Sequence, residues 1–251
     1  MRGLKGKTVV VTGGASGIGR AIARRLGEEG AIVGIFDLNR DGAEETAAAI
    51  RDGGGSAFAY RVDITDYDLV ARSVDAFEQG AGPIAGLVNN AGWDTATPFI
   101  QSDPALWKKI IDINLYGPLN MTHVIARKMA ARGAGRVVSI SSDAGRVGSS
   151  GEAVYSAAKG GVIAFMKTMA REFAKQRITF NSVRPGPTDT PLLASFDTAG
   201  GLTDALAKAI PMRRLGIPDD YPGIVAFLLS DDAGFITGQT ISVSGGLSMH
   251  G

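Results

Sequence analysis

The chain has 251 residues, 45% hydrophobic and 20% charged, and these proportions exclude a disordered protein. Its net charge of +1, two histidines and absence of cysteine argue against a nucleic-acid surface, a disulfide framework and a metal centre. The N-terminus is too polar for a signal peptide, and no apolar run reaches the ~18 residues of a membrane span. We therefore expect a soluble, cytoplasmic protein.

Strands and helices alternate along the chain. The run Val9 to Val11 is β-branched and is followed by glycines, which predicts a buried strand over residues 7–12. Apolar residues at helical spacing then predict a helix over residues 18–29. The same patterns predict further strands at 31–36, 57–62, 84–89, 135–141, 178–183 and 240–243, and helices at 41–51, 66–79, 104–131, 152–175 and 219–229.

Strands separated by helices indicate βαβ crossovers, and hence a parallel sheet covered on both faces. The predicted fold is a single-domain, Rossmann-like α/β protein: a doubly wound parallel sheet of about seven strands with helices on both sides. Residues 185–211 are less regular, and the stretch at about 190–212 is expected to form a substrate lid, which Gly200 and Gly201 could let move. No linker or repeat divides the chain.

A glycine-rich loop at residues 12–19 joins the first strand to the first helix. Gly13, Gly17 and Gly19 carry no side chain that would keep a pyrophosphate from the backbone N–H groups. The N-terminus of the following helix adds free N–H donors and a positive dipole end. A plain turn is the alternative interpretation, but the position between a strand and a helix favours a dinucleotide site.

Asp37 follows the second predicted strand, 20 residues after Gly17. A carboxylate there can accept hydrogen bonds from both hydroxyls of an adenosine ribose and repel a 2′-phosphate; a solvated turn aspartate is the alternative. Positions 14–16 and 38 hold no Arg or Lys, and the nearest cation is Arg40. The sequence favours NAD over NADP.

Five motifs in the expected order resemble the short-chain dehydrogenase/reductase superfamily over the chain from Lys7 onward. They are the glycine-rich loop, Asn-Asn-Ala-Gly at 89–92, Asn114, Ser142 with Tyr155-x-x-x-Lys159, and Pro185-Gly186 with Thr190. The resemblance implies an active oxidoreductase that interconverts a secondary alcohol and a ketone.

Carried over residue by residue, the resemblance implies a catalytic tetrad of Asn114, Ser142, Tyr155 and Lys159. It also implies that Asp63 binds the adenine amino group, that Asn90 to Gly92 line the adenine ribose, and that Thr188 and Thr190 hold the nicotinamide carboxamide. The complete set of residues expected to bind NAD is Gly13, Ser16, Gly17, Ile18, Gly19, Asp37, Leu38, Asp63, Ile64, Asn90, Ala91, Gly92, Tyr155, Lys159, Pro185, Gly186, Thr188 and Thr190.

The tetrad suits proton transfer at a carbinol oxygen. A tyrosine with the reference pKa of ~10 is a poor base near neutrality. Lys159 lies four residues after Tyr155, so on a helix both side chains share one face, and a nearby ammonium is expected to lower the tyrosine pKa. Ser142 would donate a hydrogen bond to the substrate oxygen. By resemblance, Asn114 binds a water that relays protons from Lys159.

Three segments are expected to determine which substrate binds: residues 93–94, 143–151 and 192–212. Apolar residues at 192, 193, 196, 202, 206 and 210 suit an alicyclic or acyl group. The cations Arg146, Lys208, Arg213 and Arg214 could meet phosphates, although each could equally be a solvated surface charge. The residues expected on the substrate side are Trp93, Asp94, Asp143, Arg146, Leu192, Leu193 and Phe196.

Longer segments at 89–94, 142–155, 185–190 and 231–239 are similar to superfamily members that oxidise a cyclic hydroxyacyl-CoA with NAD. This implies the conversion of 2-hydroxycyclohexanecarboxyl-CoA to its 2-keto form. The alternatives are a 3-oxoacyl-thioester reductase, a general secondary-alcohol dehydrogenase, and a nucleotide-sensing regulator, against which the intact tetrad argues.

The resemblance also implies a homotetramer packed through the long helices on either side of the strand at 135–141. His123 is expected to be a packed or interface residue, Trp107 to lie in the core or an interface, and His250 to lie in a flexible tail.

Overall fold

A computed structural model describes residues 1–196 and 200–249. Three positions of the predicted lid, 197–199, and His250 lie outside the described residues. The described residues form a seven-stranded sheet with strand order β3-β2-β1-β4-β5-β6-β7, in which every pairing is parallel. The strands are β1 (Thr8–Thr12), β2 (Ile32–Asp37), β3 (Ser56–Arg61), β4 (Ile84–Asn89), β5 (Gly135–Ile140), β6 (Ile178–Pro185) and β7 (Thr240–Val243).

Helices cover both faces of this sheet, which explains why β1 and β6 are buried at every residue. The helices are α1 (Gly17–Glu28), α2 (Arg40–Asp52), α3 (Tyr67–Ala81), α4 (Pro104–Ile111), α5 (Gly117–Arg132), α6 (Ala144–Val147), α7 (Ala153–Glu172), α8 (Pro191–Ala194), α9 (Leu202–Ala209) and α10 (Pro222–Leu229). None of the helices in the described part of the chain has the length and apolar character needed to cross a membrane.

The core has two parts, one on each face of the sheet. Ile22 of α1 and Val225 of α10 belong to the part on one face, with the β1 residues Val9 and Val11. Val10 points to the other part, which includes side chains of α3, α5 and α7. The alternation of side chains along β1 thus supplies both cores. The predicted Rossmann-like, doubly wound architecture is confirmed.

The prediction of one continuous helix over residues 104–131 was wrong. A π-helical turn, Asp112–Tyr116, separates α4 from α5. Pro118 has no N–H to donate to the carbonyl of Asn114, four residues earlier, so a regular α-helical bond is missing there. The side-chain amide of Asn114 instead donates to the carbonyl of Ile110 at 2.9 Å. Such turns are frequent at functional sites.

Two other boundaries differ from the prediction. The helix predicted at 219–229 is split into a 3₁₀ turn, Pro218–Asp220, and α10, because Pro222 suits the first position of a new helix. The stretch predicted as irregular, 185–211, contains α8 and α9.

Candidate active site

A cavity of about 1240 Å³ opens at the carboxyl ends of the strands. It lies where the strand order reverses between β1 and β4, the usual place for a ligand in an open α/β sheet. Every residue that the sequence assigned to the cofactor lines this cavity: Gly13, Ser16, Gly17, Ile18, Gly19, Asp37, Leu38, Asp63, Ile64, Asn90, Ala91, Gly92, Tyr155, Lys159, Pro185, Gly186, Thr188 and Thr190.

The glycine-rich loop passes close to its neighbours. A Cβ atom at Gly19 would lie 2.1 Å from the carbonyl oxygen of Gly13, and one at Gly13 would lie 2.7 Å from Cα of Ala91. Gly17 has a φ of 51°, and a Cβ there would face Thr190 at 3.7 Å across the cavity. The loop therefore presents bare backbone and the start of α1 to the cavity, which fits a pyrophosphate.

Asp37 is the last residue of β2 and lies beside this loop. Its carboxylate accepts hydrogen bonds from the backbone N–H of Ala15 at 2.9 Å and of Asn39 at 2.8 Å. These two bonds fix the carboxylate at the cavity wall, and each oxygen keeps a lone pair for a further donor. The geometry fits a ribose diol.

Asn90 braces the loop. Its side-chain amide donates to the carbonyls of Thr12 at 3.0 Å and Gly13 at 3.1 Å. The Thr12 hydroxyl in turn accepts from the backbone N–H groups of Asn90 and Ala91, both at 3.0 Å. Sequence reasoning did not single out Thr12, although its place at the end of β1 was a usable signal.

Ser142, Tyr155 and Lys159 meet at the cavity floor. Ser142 follows β5, and the other two lie one turn apart on α7. Lys159 donates from Nζ to the carbonyl of Ile140 at 3.1 Å, and its own carbonyl accepts from the Ser141 hydroxyl at 2.9 Å. These bonds join α7 to the end of β5, so the position of Tyr155 relative to Ser142 is fixed.

Asn114 lies in the π-helical turn and is fully buried. Its amide nitrogen donates to the carbonyl of Trp93 at 2.6 Å, and its Oδ1 accepts from the Trp93 N–H at 3.3 Å. A Cβ at Gly92 would lie 2.9 Å from this Oδ1 and 3.2 Å from Nζ of Lys159, so the three residues converge.

The ionisation of the Tyr155–Lys159 pair differs from the expectation. Burial raises the pKa of Tyr155 above its ordinary value, the Glu152 and Asp94 carboxylates raise it further, and the Ser142 hydroxyl acts in the opposite direction. Burial also lowers the pKa of Lys159 to about 8. The Lys159 ammonium lies 5.5 Å from the centre of the tyrosine ring. Burial and the two carboxylates therefore give a net rise of the tyrosine pKa where the sequence predicted a lowering by Lys159.

Apolar side chains form the outer wall of the cavity. Trp93 lines it, together with Leu192, Leu193 and Phe196, as placed on the substrate side by the sequence. Further apolar lining comes from Ala96, Val147, Leu202, Leu206 and Leu247.

The cations that line the cavity besides Lys159 are not those named from the sequence. Lys108 and Lys109 line it, and the Lys109 ammonium lies 3.6 Å from the centre of the Trp93 ring. Arg146 is exposed and does not line it. Arg214 pairs with Asp220 at 2.6 Å, outside the lining. Sequence reasoning missed the two lysines because it searched the segments after β4, β5 and β6, not α4.

Asp143 lines the cavity, but its carboxylate binds protein groups. It accepts from the hydroxyls of Ser242 at 3.0 Å and Ser248 at 2.6 Å, and it lies 3.4 Å from the buried Arg184 guanidinium. These contacts tie the C-terminal segment to the loop after Ser142. Asp94 does not line the main cavity.

Two residues outside the site have defined partners. His123 is exposed and shares a 2.7 Å hydrogen bond with the Tyr67 hydroxyl. Trp107 stacks on Phe99 at 5.1 Å and donates to the Ser102 hydroxyl at 2.6 Å.

Fold and cavity together define a dinucleotide-binding α/β protein with a tyrosine–lysine–serine cluster beside the nucleotide cleft. Comparison with known proteins names the family. A family model described as enoyl-(acyl carrier protein) reductase matches residues 13–248. The chain belongs to the short-chain dehydrogenase/reductase family, and the predicted family and oxidoreductase class are confirmed.

Curated relatives span the same length as this chain. It is 40% identical over 241 residues to a cis-4-hydroxycyclohexanecarboxylate dehydrogenase of Sinomonas cyclohexanicum, covering 96% of each protein. It is 39% identical over 245 residues to an acetoacetyl-CoA reductase of Shinella zoogloeoides, covering 96% of this chain and 98% of that one.

A solved structure shares the whole fold. The crystal structure of a xylitol dehydrogenase with bound NAD⁺ matches with a TM-score of 0.91 and 32% sequence identity, covering 98% of this chain and 100% of that one. The prediction of a nicotinamide dinucleotide cofactor thus agrees with the NAD⁺ bound in this structural relative and with the residues that line the cleft.

Proposed function

We propose that the protein is an NAD-dependent oxidoreductase that interconverts a secondary alcohol and a ketone. The observation that carries the proposal is the convergence of Ser142, Tyr155 and Lys159 at the floor of a cavity whose other end is a dinucleotide cleft. The nicotinamide supplies the hydride acceptor or donor for this chemistry when it is bound.

The choice of NAD rests on Asp37. Its carboxylate is held beside the glycine-rich loop by the N–H groups of Ala15 and Asn39, where it accepts a ribose diol and repels a 2′-phosphate. Asp63 and Asn90 to Gly92 would hold the adenosine half, and Thr188 and Thr190 the carboxamide.

Tyr155 is the group that moves the substrate proton. In ketone reduction its phenol donates a proton to the substrate oxygen, and in alcohol oxidation its phenolate accepts one. Ser142 donates a hydrogen bond to the same oxygen and stabilises the charge that develops on it. Lys159, with a pKa lowered to about 8, can hold or release a proton near neutrality. Asn114 positions Trp93 and the strand end beside them.

The substrate that we propose is a cyclic hydroxyacyl-CoA, 2-hydroxycyclohexanecarboxyl-CoA. Trp93, Leu192, Leu193 and Phe196 provide an apolar wall for a ring. Lys109 also lines the cavity with its ammonium 3.6 Å from the centre of the Trp93 ring, and an ammonium there would meet the phosphates of a CoA tail. The relative that oxidises a hydroxycyclohexanecarboxylate supports an alicyclic substrate.

A second candidate is the reduction of a linear 3-oxoacyl thioester. The acetoacetyl-CoA reductase relative favours it. Asp37 argues against it, because biosynthetic reductases generally use NADPH. A regulator that only senses the nucleotide would have no use for the buried tyrosine–lysine couple.

Two further proposals concern the whole molecule. The single domain carries a lid at about 190–212, to which α8 and α9 contribute the cavity residues Leu193 and Leu206. The protein assembles as a homotetramer, as the family resemblance implies, and light scattering after size exclusion tests this.

Replacing Tyr155 with Phe tests the proposal. The variant lacks the proton-carrying oxygen but keeps the ring, so turnover should fall by ~10²–10⁴-fold while NADH binding, followed by fluorescence, is unchanged. The matched control is Tyr116→Phe, at an exposed position on the adjoining π-helical turn. Full turnover in the Tyr155 variant would disprove the assignment.

A further inference from the structure

A second, much smaller cavity adjoins the main one. Its volume is about 10 Å³, roughly the space that one water needs. Tyr155 and Glu152 border both cavities, whereas Asp94 borders only the small one. Asp94 therefore lies beside the reacting tyrosine without access to the substrate.

The Asp94 carboxylate is an unusual group to bury. The residue is 3% exposed, and among residues 1–196 and 200–249 neither carboxylate oxygen accepts a hydrogen bond of good geometry. Burying an ionised carboxylate without donors is costly. Something else must compensate for this charge.

Glu152 provides the compensation. Its carboxyl group borders the same small cavity as the Asp94 carboxyl group, and it acts on Asp94 both by its charge and as a side-chain neighbour. Two carboxylates have only acceptors, so a hydrogen bond between them requires that one carry a proton. Like charges at this range also cannot both ionise readily. The buried Asp94 is therefore the member of the pair that is expected to hold a proton.

We propose that Asp94 and Glu152 form a carboxyl pair whose negative charge keeps Tyr155 protonated and so sets the pH range of alcohol oxidation. The inference rests on the proposed function. Both residues act through Tyr155 and are positioning residues.

Few charged or titratable groups of the described residues face the pair. Tyr155 and Lys159 face it from α7, and on α4 the Lys109 ammonium lies over the Trp93 ring, 3.6 Å from its centre. The other residues that line the small cavity are uncharged: Thr95, Thr97, Phe99, Ser102, Leu106, Trp107, Ile110, Gly151, Ala153 and Val154.

The direction of each effect agrees with this role. Burial and the neighbouring Glu152 carboxyl group raise the pKa of Asp94, the Thr95 N–H and the Lys159 ammonium act in the opposite direction, and together these effects bring the pKa to about 7. After burial, the charges of Glu152 and Asp94 are the next causes that raise the pKa of Tyr155. Since oxidation needs the phenolate, the pair delays oxidation to higher pH and favours the protonated phenol used in reduction.

The first test observes the pair in the protein alone. Infrared difference spectra recorded over a pH titration detect the C=O stretch of protonated carboxyl groups. Ordinary Asp and Glu side chains, with pKa values of ~4, are ionised at pH 6, so a protonated carboxyl band at that pH reports a buried carboxyl group with a raised pKa. We expect this band in the wild type, its loss in Asp94→Asn, and a shift of its titration to lower pH in Glu152→Gln. A wild-type spectrum without it would overturn the proposal.

The second test measures the pH dependence of kcat/KM for alcohol oxidation. In the double variant Asp94→Asn/Glu152→Gln both charges are gone while side-chain size is kept, so the acid limb should move to lower pH by about one unit. The rate at the alkaline plateau should not change. The matched control is Glu172→Gln at the exposed far end of α7, which should leave the profile unmoved.

The outcomes separate the pair from the proposed function. An unmoved acid limb, or one moved to higher pH, in a folded double variant would overturn the role of the pair even if turnover remains dependent on Tyr155. If the double variant does not fold, Glu152→Gln alone should give a smaller shift in the same direction, and no shift would count against the proposal. Absence of turnover with every alcohol would refute the function, while the infrared titration still decides the pair.

Discussion

Gly145→Ala is a sharp test of how the site is assembled, because α6 and α7 touch through glycines there. A Cβ at Gly145 would lie 2.7 Å from the carbonyl carbon of Lys159 and 2.8 Å from the backbone nitrogen of Gly160. Ordinary contacts begin at 3.4 Å, so the second contact alone is short by 0.6 Å (3.4 − 2.8). The atoms are backbone and cannot rotate away, so one helix must move.

The movement has two measurable costs. Overpacking of this kind typically lowers the free energy of unfolding by ~1–3 kcal/mol. Since α6 begins two residues after Ser142, the shift also displaces this hydroxyl from Tyr155. A misplacement of ~1 Å can cost ~100-fold in rate, so a drop of at least ~10-fold in kcat is expected.

Urea unfolding and initial rates measure the two effects. The matched control is Gly80→Ala on α3, where a Cβ meets nothing within 4 Å. This control should keep its activity and gain up to ~1 kcal/mol of stability, because alanine is the better helix former. A Gly145 variant with wild-type stability and kcat would refute the close packing of α6 on α7.

Two further variants test the ends of the cavity. Asp37→Ala should reduce the preference for NAD over NADP by ~10-fold or more, because a charge-assisted bond to the ribose is lost. An unchanged ratio of the kcat/KM values for NAD and NADP would show that other residues recognise the ribose. Lys109→Met, which keeps the aliphatic stem on Trp93, should raise KM for the CoA thioester but not for a free cyclic alcohol. The control for this variant is Lys167→Met, on the exposed side of α7. If both lysine variants change KM for the CoA thioester equally, Lys109 is an ordinary surface charge and does not bind the CoA tail.

Much of the fold could be predicted because local patterns and global architecture agree. Val9 to Val11 are buried on both faces of the sheet, as their uninterrupted apolar run predicts. The glycine spacing and Asp37 identified the cofactor cleft from the sequence. Glycines are required where the backbone approaches a pyrophosphate closely, and a carboxylate is required where a ribose diol is bound.

What could not be predicted depends on contacts distant in sequence. The residues around Asn114 have continuous helical periodicity, and the local signal of Pro118 does not show that Asn114 bonds to Trp93, 21 residues earlier, from a π-helical turn. The Asp94–Glu152 pair joins residues 58 positions apart (152 − 94), which no local pattern records. The effect of burial on Tyr155 likewise requires the folded surroundings.

The account is tested most directly by initial rates of NAD and NADP reduction with 2-hydroxycyclohexanecarboxyl-CoA, beside free cyclohexanol and a linear 3-hydroxyacyl-CoA. We predict rapid NAD reduction with the cyclic thioester, slower reduction with the other two alcohols, and little use of NADP. Reduction of neither cofactor with any of the three alcohols would contradict the proposed function.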